Sequence, residues 1–231
     1  MLLRLCKWLL ILNFASLLLV SKSFVLSKFG IRAEDIFGFL SLLILPFILL
    51  KVGRIISQRL LVIIFIYFFY LALISLFQSF GYSLYILILY FKELSYFAFF
   101  LITFYFCYRS SAETISRFLR LILIISVPNI LYIYYQLFFG THHGMYGVTF
   151  FGHSDSPATA GLLSIMVFFI SYIYSQFFKR NIWTNLHLIA TIIIIFFIGS
   201  KLVVAGFFGF FALIILLERN KKKLLVSIFI I

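Results

Sequence analysis

Acidic side chains are nearly missing from this chain: six Asp and Glu stand against nineteen Lys and Arg in 231 residues. Charged residues of either sign reach only 11%, where soluble domains carry roughly 25%. That shortage excludes a water-facing surface over most of a fold this size. Cysteine is scarcer still. Cys6 and Cys107 lie far apart and form neither a CxxC pair nor a disulfide framework. They read as two small apolar residues near helix ends. The basic residues come one short loop at a time, which argues against a nucleic-acid surface. No convincing internal repeat is present.

What fills the chain is apolar: 65% hydrophobic residues, with 33 Phe and 14 Tyr. A bilayer serves as solvent for such a composition, and a helix needs about 20 mostly apolar residues to cross it. Backbone in lipid must satisfy its own hydrogen bonds, so the choice is between helices and a closed barrel. Barrel strands alternate apolar and polar residues. "LVIIFIYFFYLALISLF" (Leu61 to Phe77) is instead apolar on every side. The reading is an all-α, polytopic membrane protein, one integral-membrane domain over 1–231.

Breaks at charged and Gly/Ser/Pro positions predict eight spans, at 5–21, 36–52, 60–78, 83–108, 118–139, 157–178, 184–199 and 202–217. The first has the basic start and apolar run of a signal peptide, but the many spans behind it favour a retained helix. An apolar stretch from Leu224 starts a ninth span that stops at Ile231 after eight residues, too few to cross about 30 Å. The expectation is therefore the front portion of a longer protein.

Lys and Arg collect in short cytoplasmic loops. With the N-terminus inside and the spans alternating, the outer side receives only Lys22, Lys28, Arg32 and Lys201. Lys92 lies within a span, and every other basic residue falls inside. The map is self-consistent. It makes "GTHHGMYGVTFFGHSDSP" (Gly140 to Pro157) an outer loop, which accounts for its lack of Lys and Arg.

That loop carries His142, His143, His153 and Asp155. Adjacent histidines do not readily turn both rings to one ion, so no metal site is expected. A hydrogen-bonding or proton-transfer role and a solvated loop without chemistry both remain open. Asp155 and Ser156 before Pro157 also suit the start of a helix. Lys92 and Glu93 interrupt an apolar span, where an ionisable group marks either function, a bridge between helices, or snorkelling to the interface. Lys201 stands at the outer end of a tight turn, as a snorkelling residue or as a fixed cation for an anionic group such as a diphosphate. His187 reads as interfacial, and Ala205-x-x-x-Gly209 as a close helix contact.

Two of these features together resemble a known family. The loop "YGVTFFGHSDSPATAGLL" and the turn "IIIIFFIGSKLVVAGFFGF" are similar to elements of the bacterial O-antigen polymerase/ligase superfamily, which includes capsule repeat-unit polymerases. The likeness covers roughly residues 140–217. Lys201 takes the place of that family's turn arginine, and the arginine that precedes the loop glycine is replaced around Gly147 by "HHGMYG".

The resemblance implies a glycosyltransferase of the bacterial inner membrane, joining undecaprenyl-diphosphate-linked oligosaccharides at the outer face without a cofactor. It implies His153 or Asp155 as catalytic groups, and Lys201, His142 and His143 as substrate contacts. Membrane lipids, a chain-length regulator and other polysaccharide-assembly proteins are the implied partners. Two other classes stand beside it: a transporter or flippase for lipid-linked sugars, whose pathway charges would be Lys92 and Glu93, and a non-catalytic assembly subunit.

The span map makes its own prediction. With Cys6 and Cys107 changed to Ser, Gly144→Cys should react with a membrane-impermeant thiol reagent in intact cells. Arg180→Cys should react only after the membrane is opened. The reverse pattern overturns the map.

Overall fold

The computed structural model describes residues 2–19, 33–52, helical positions scattered between 62 and 74, 83–139, 157–198 and 200–217. Among these residues all regular structure is helical. We number the continuous helices α1 (Leu2–Leu19), α2 (Ala33–Val52), α3 (Ser83–Arg109), α4 (Ala112–Phe139), α5 (Pro157–Phe177), α6 (Ile182–Phe197) and α7 (Lys201–Leu217). Four contain segments long and apolar enough to cross a membrane: Leu2–Leu19, Asp35–Val52, Ala112–Phe139 and Ala160–Phe177.

Helix ends follow local chemistry. α4 begins six residues before the predicted 118. Ser111 explains this, because its hydroxyl accepts the Thr114 N–H at 3.3 Å, and Glu113 in the first turn pairs with Arg117 one turn on. α6 begins two residues before the predicted 184. There Asn181 Oδ1 accepts the Thr184 N–H at 2.9 Å while Thr184 Oγ1 accepts the Asn181 N–H at 3.2 Å, a reciprocal capping box.

The sides of these helices show what medium they suit. On α2, Leu43, Phe47 and Leu50 are 70%, 61% and 73% exposed and recur at the spacing of one helix face. Such a stripe would be a liability in water and is ordinary against lipid tails. Buried hydroxyls meanwhile close onto their own helix. Ser41, Ser164 and Ser171 each donate to the carbonyl four residues back, at 2.8, 2.9 and 2.9 Å.

The chain forms two compact units, residues 1–17 with 24–118, and 18–23 with 119–231. In the first, α2 lies along α3, and Phe106 meets Phe118 edge-on at 5.1 Å. In the second, α5 packs on α6 and both touch α7. Its core holds Ile165, Phe168 and Tyr172 of α5, Leu188 and Ile195 of α6, and Val203 and Phe207 of α7. Phe168 meets Phe207 at 5.1 Å and Phe207 meets Phe211 at 4.9 Å, both edge to face. Lipid tails are as apolar as these side chains, so close packing, and not removal from water, holds them. Each edge-to-face ring pair contributes about 0.5–1.5 kcal/mol.

A close approach lies at one end of this unit. A Cβ on Gly161 would stand 2.5 Å from Val203 Cγ2, so only glycine fits against α7 there. The Ala205/Gly209 spacing does not make the corresponding contact: a Cβ on Gly209 meets nothing within 4 Å. Gly161→Ala should therefore lower thermal stability in detergent by about 1–3 kcal/mol through overpacking. Adding Val203→Ala should recover most of the loss; no recovery would remove this contact as the cause.

Candidate functional site

Lys92 shows how the fold handles a cation in an apolar helix. Its Nζ lies 2.8 Å from Asp35 Oδ1 and 2.8 Å from Oδ2, and Asp35 is buried in the third position of α2. The ammonium is thus held by both carboxylate oxygens from a neighbouring helix, which is a bridge between helices and not snorkelling. One turn further along each helix the surfaces are small: a Cβ on Gly38 would stand 2.7 Å from Ser95 Oγ. Ser95 Oγ is turned back onto the Lys92 carbonyl at 2.7 Å. Asp35 and Gly38 on α2 therefore meet Lys92 and Ser95 on α3 as a polar, close-packed seam. Glu93 follows Lys92 in the helical backbone of α3, and its side chain lies outside the described residues.

Sequence reasoning missed Asp35, because the second span was started at 36. The available signal was a carboxylate three residues before a glycine at the head of an apolar run.

Lys201 is the first residue of α7 and is exposed. Ser200 carries its carbonyl to the Val203 and Val204 N–H groups at 3.1 and 3.2 Å, which starts the helix directly after the α6 turn. Val203, two residues on, sits against Gly161, four residues into α5. At 1.5 Å per residue, Lys201 and the first turn of α5 therefore lie at the same end of this unit. That end is where the 140–156 segment joins α5. His142, His143, His153 and Asp155 themselves lie outside the described residues. Among the described residues no three His, Cys, Asp or Glu side chains gather to hold a metal ion.

His187 is buried between helices. Its Nδ1 faces the Trp183 carbonyl of its own helix at 3.1 Å, and its Nε2 faces the Leu123 carbonyl of α4 at 3.1 Å. The Leu123 carbonyl also accepts from Ser126 Oγ at 2.7 Å. Pro128 lies one turn ahead, inside α4, and lacks the N–H that would otherwise reach the Ile124 carbonyl. Near this interruption α4 is fastened to α6 from outside. Tyr134 Oη adds a second strap, donating to the Ala190 carbonyl at 2.9 Å.

No protein-family model, curated protein or solved structure matches this chain.

The seam between α2 and α3 yields a sharp expectation. Lys92→Met takes the ammonium away from a buried carboxylate and should cost about 3–5 kcal/mol. Asp35→Asn combined with Lys92→Met should lie well above either single variant in thermal unfolding in detergent. Additive losses would show that the pair does not act as a unit.

Proposed function

We propose that the chain belongs to a polymerase-type glycosyltransferase of a bacterial inner membrane, with eight spans, a cytoplasmic N-terminus and an outer-face reaction site. The observation that carries this reading is the contact of Gly161 with Val203. It sets the exposed ammonium of Lys201 at the end of the bundle from which the His- and Asp-bearing 140–156 segment enters α5. A cation and a set of proton-transfer groups on one rim are what transfer from a lipid diphosphate requires.

In the proposed step, a sugar hydroxyl of one undecaprenyl-diphosphate-linked unit attacks the anomeric carbon of another. The C–O bond to the diphosphate breaks, and the lipid diphosphate leaves with the bonding electron pair. Lys201 offsets its negative charge, although an ammonium lacks the two-pronged geometry of a guanidinium. His153 or Asp155 takes the hydroxyl proton, and His142 and His143 hold the sugar. The engagement of Lys92 by Asp35 supports this reading over a transporter, because it supplies a structural role for the charge that a transport path would have used. Membrane lipids and a chain-length regulator are the partners that accompany it.

Lys201→Ala in the host should shorten the polysaccharide by at least severalfold while protein abundance stays level, and Lys201→Arg should keep long polymer. Full-length polymer in Lys201→Ala sinks the role of Lys201. Lipid-linked units stranded on the inner leaflet after gene deletion would instead favour a flippase.

A further inference from the structure

At the end of the second unit opposite Lys201, a pocket of about 290 Å³ opens where the start of α4 meets the α5–α6 turn. Arg120, Leu123 and Ile124 of α4 line it, with Tyr174 of α5, Lys179 and Asn181 of the turn, and Trp183 and Thr184 of α6. Two cations from separate elements share this lining, and among the described residues no carboxylate does. Among the described residues neither Arg120 nor Lys179 enters an ion pair. The nearest acid on α4, Glu113, is taken by Arg117.

Asn181 Oδ1 and Thr184 Oγ1 are spent in the capping box, so they shape the wall and fix the turn. The groups left to donate to a ligand are the Arg120 guanidinium, the Lys179 ammonium, the Asn181 side-chain amide, the Tyr174 hydroxyl and the Trp183 indole N–H. Two carry positive charge, which selects an anion rich in acceptor oxygens.

The walls decide where that anion comes from. Ile124 lines the pocket and is 49% exposed, and on α4 the exposed Leu131, Tyr135 and Phe138 follow it at helical spacing along one side. An apolar track therefore leaves the cationic pocket along the helix. A soluble phosphate would use the pocket and ignore the track, whereas a lipid uses both. We propose that the pocket holds the phosphate of an anionic phospholipid, set between Arg120 and Lys179, with an acyl chain along the Ile124–Phe138 side of α4. This site is separate from the proposed transfer reaction and stands or falls without it.

Trp183 gives a direct probe. The chain has two tryptophans, so Trp8→Phe leaves Trp183 as the single tryptophan, excited selectively at the red edge of the absorption band. In the full chain, phosphatidylglycerol brominated on its acyl chains should quench Trp183 at far lower mole fraction than brominated phosphatidylcholine. Arg120→Gln with Lys179→Gln should raise the half-quenching fraction about twenty-five-fold, from about fivefold for each basic side chain. Arg117→Gln, whose guanidinium is already held, should leave it unchanged. Equal quenching by both lipids overturns the proposal, and so does an unchanged midpoint in the double variant. Displacement of the brominated phosphatidylglycerol by millimolar inorganic phosphate alone would assign the pocket to a soluble anion and overturn the lipid assignment. The comparison of the two lipids needs no pocket variant, so it decides the matter even where the double variant fails to fold.

Discussion

Polar groups placed in an apolar medium have to find their partners inside the chain, and much of this architecture can be read as the answer to that demand. The backbone meets it by coiling into helices, which close their own hydrogen bonds. Serine and threonine meet it by bonding to the carbonyl a turn behind, as Ser41, Ser164, Ser171 and Thr191 do. Neither answer orients one helix against another. The groups that cannot be satisfied within a single helix do that. Lys92 reaches across to Asp35, and His187 and Tyr134 reach across α4 and α6.

The two compact units solve their packing in different ways. In the first, an ion pair and a glycine–serine contact share one seam between α2 and α3, so charge neutralisation and close approach reinforce each other. A charge buried there without its counterpart costs more than the pair contributes. In the second unit, glycine against valine sets a close contact and a cluster of phenylalanines fills the space beyond it. Ring edges against ring faces supply direction where a purely aliphatic core would slide.

The second unit also divides its polar chemistry between two ends. α6 spans about 24 Å at 1.5 Å per residue, with the Arg120–Lys179 pocket near its start and Lys201 just past its end. Both ends present cations, but in different settings. Lys201 is exposed at the rim where a segment rich in histidine joins the bundle, a place suited to chemistry on a diphosphate. Arg120 and Lys179 line a recess bordered by apolar side chains, a place suited to holding a phosphate still. The proposed reaction and the proposed lipid site draw on the same attraction for opposite purposes, one to stabilise a leaving group and the other to anchor the fold in its leaflet.

Much of the helical layout was legible in the sequence because lipid imposes a local rule: an unbroken apolar run of sufficient length must coil. The starts of α5 at 157 and α7 at 201 lie at or within one residue of expectation, since proline or a tight polar turn marks them. The starts of α4 and α6 were misjudged by six and two residues, because Ser111 and Asn181 act as caps through hydrogen bonds that hydropathy does not register. Composition and periodicity alone thus determined the helical character seen throughout the described residues, with runs long enough to cross a membrane and an interrupted apolar stretch at Lys92. Tertiary structure alone decided that Lys92 pairs with Asp35 rather than sitting beside Glu93 as an open charge, that His187 is buried as a strap between two helices, and that Gly161 rather than Gly209 makes a close contact. The physical reason is the same in each case. Such partners lie tens of residues apart in the chain, and which face of a helix meets which neighbour is fixed by the shape and charge of both surfaces together.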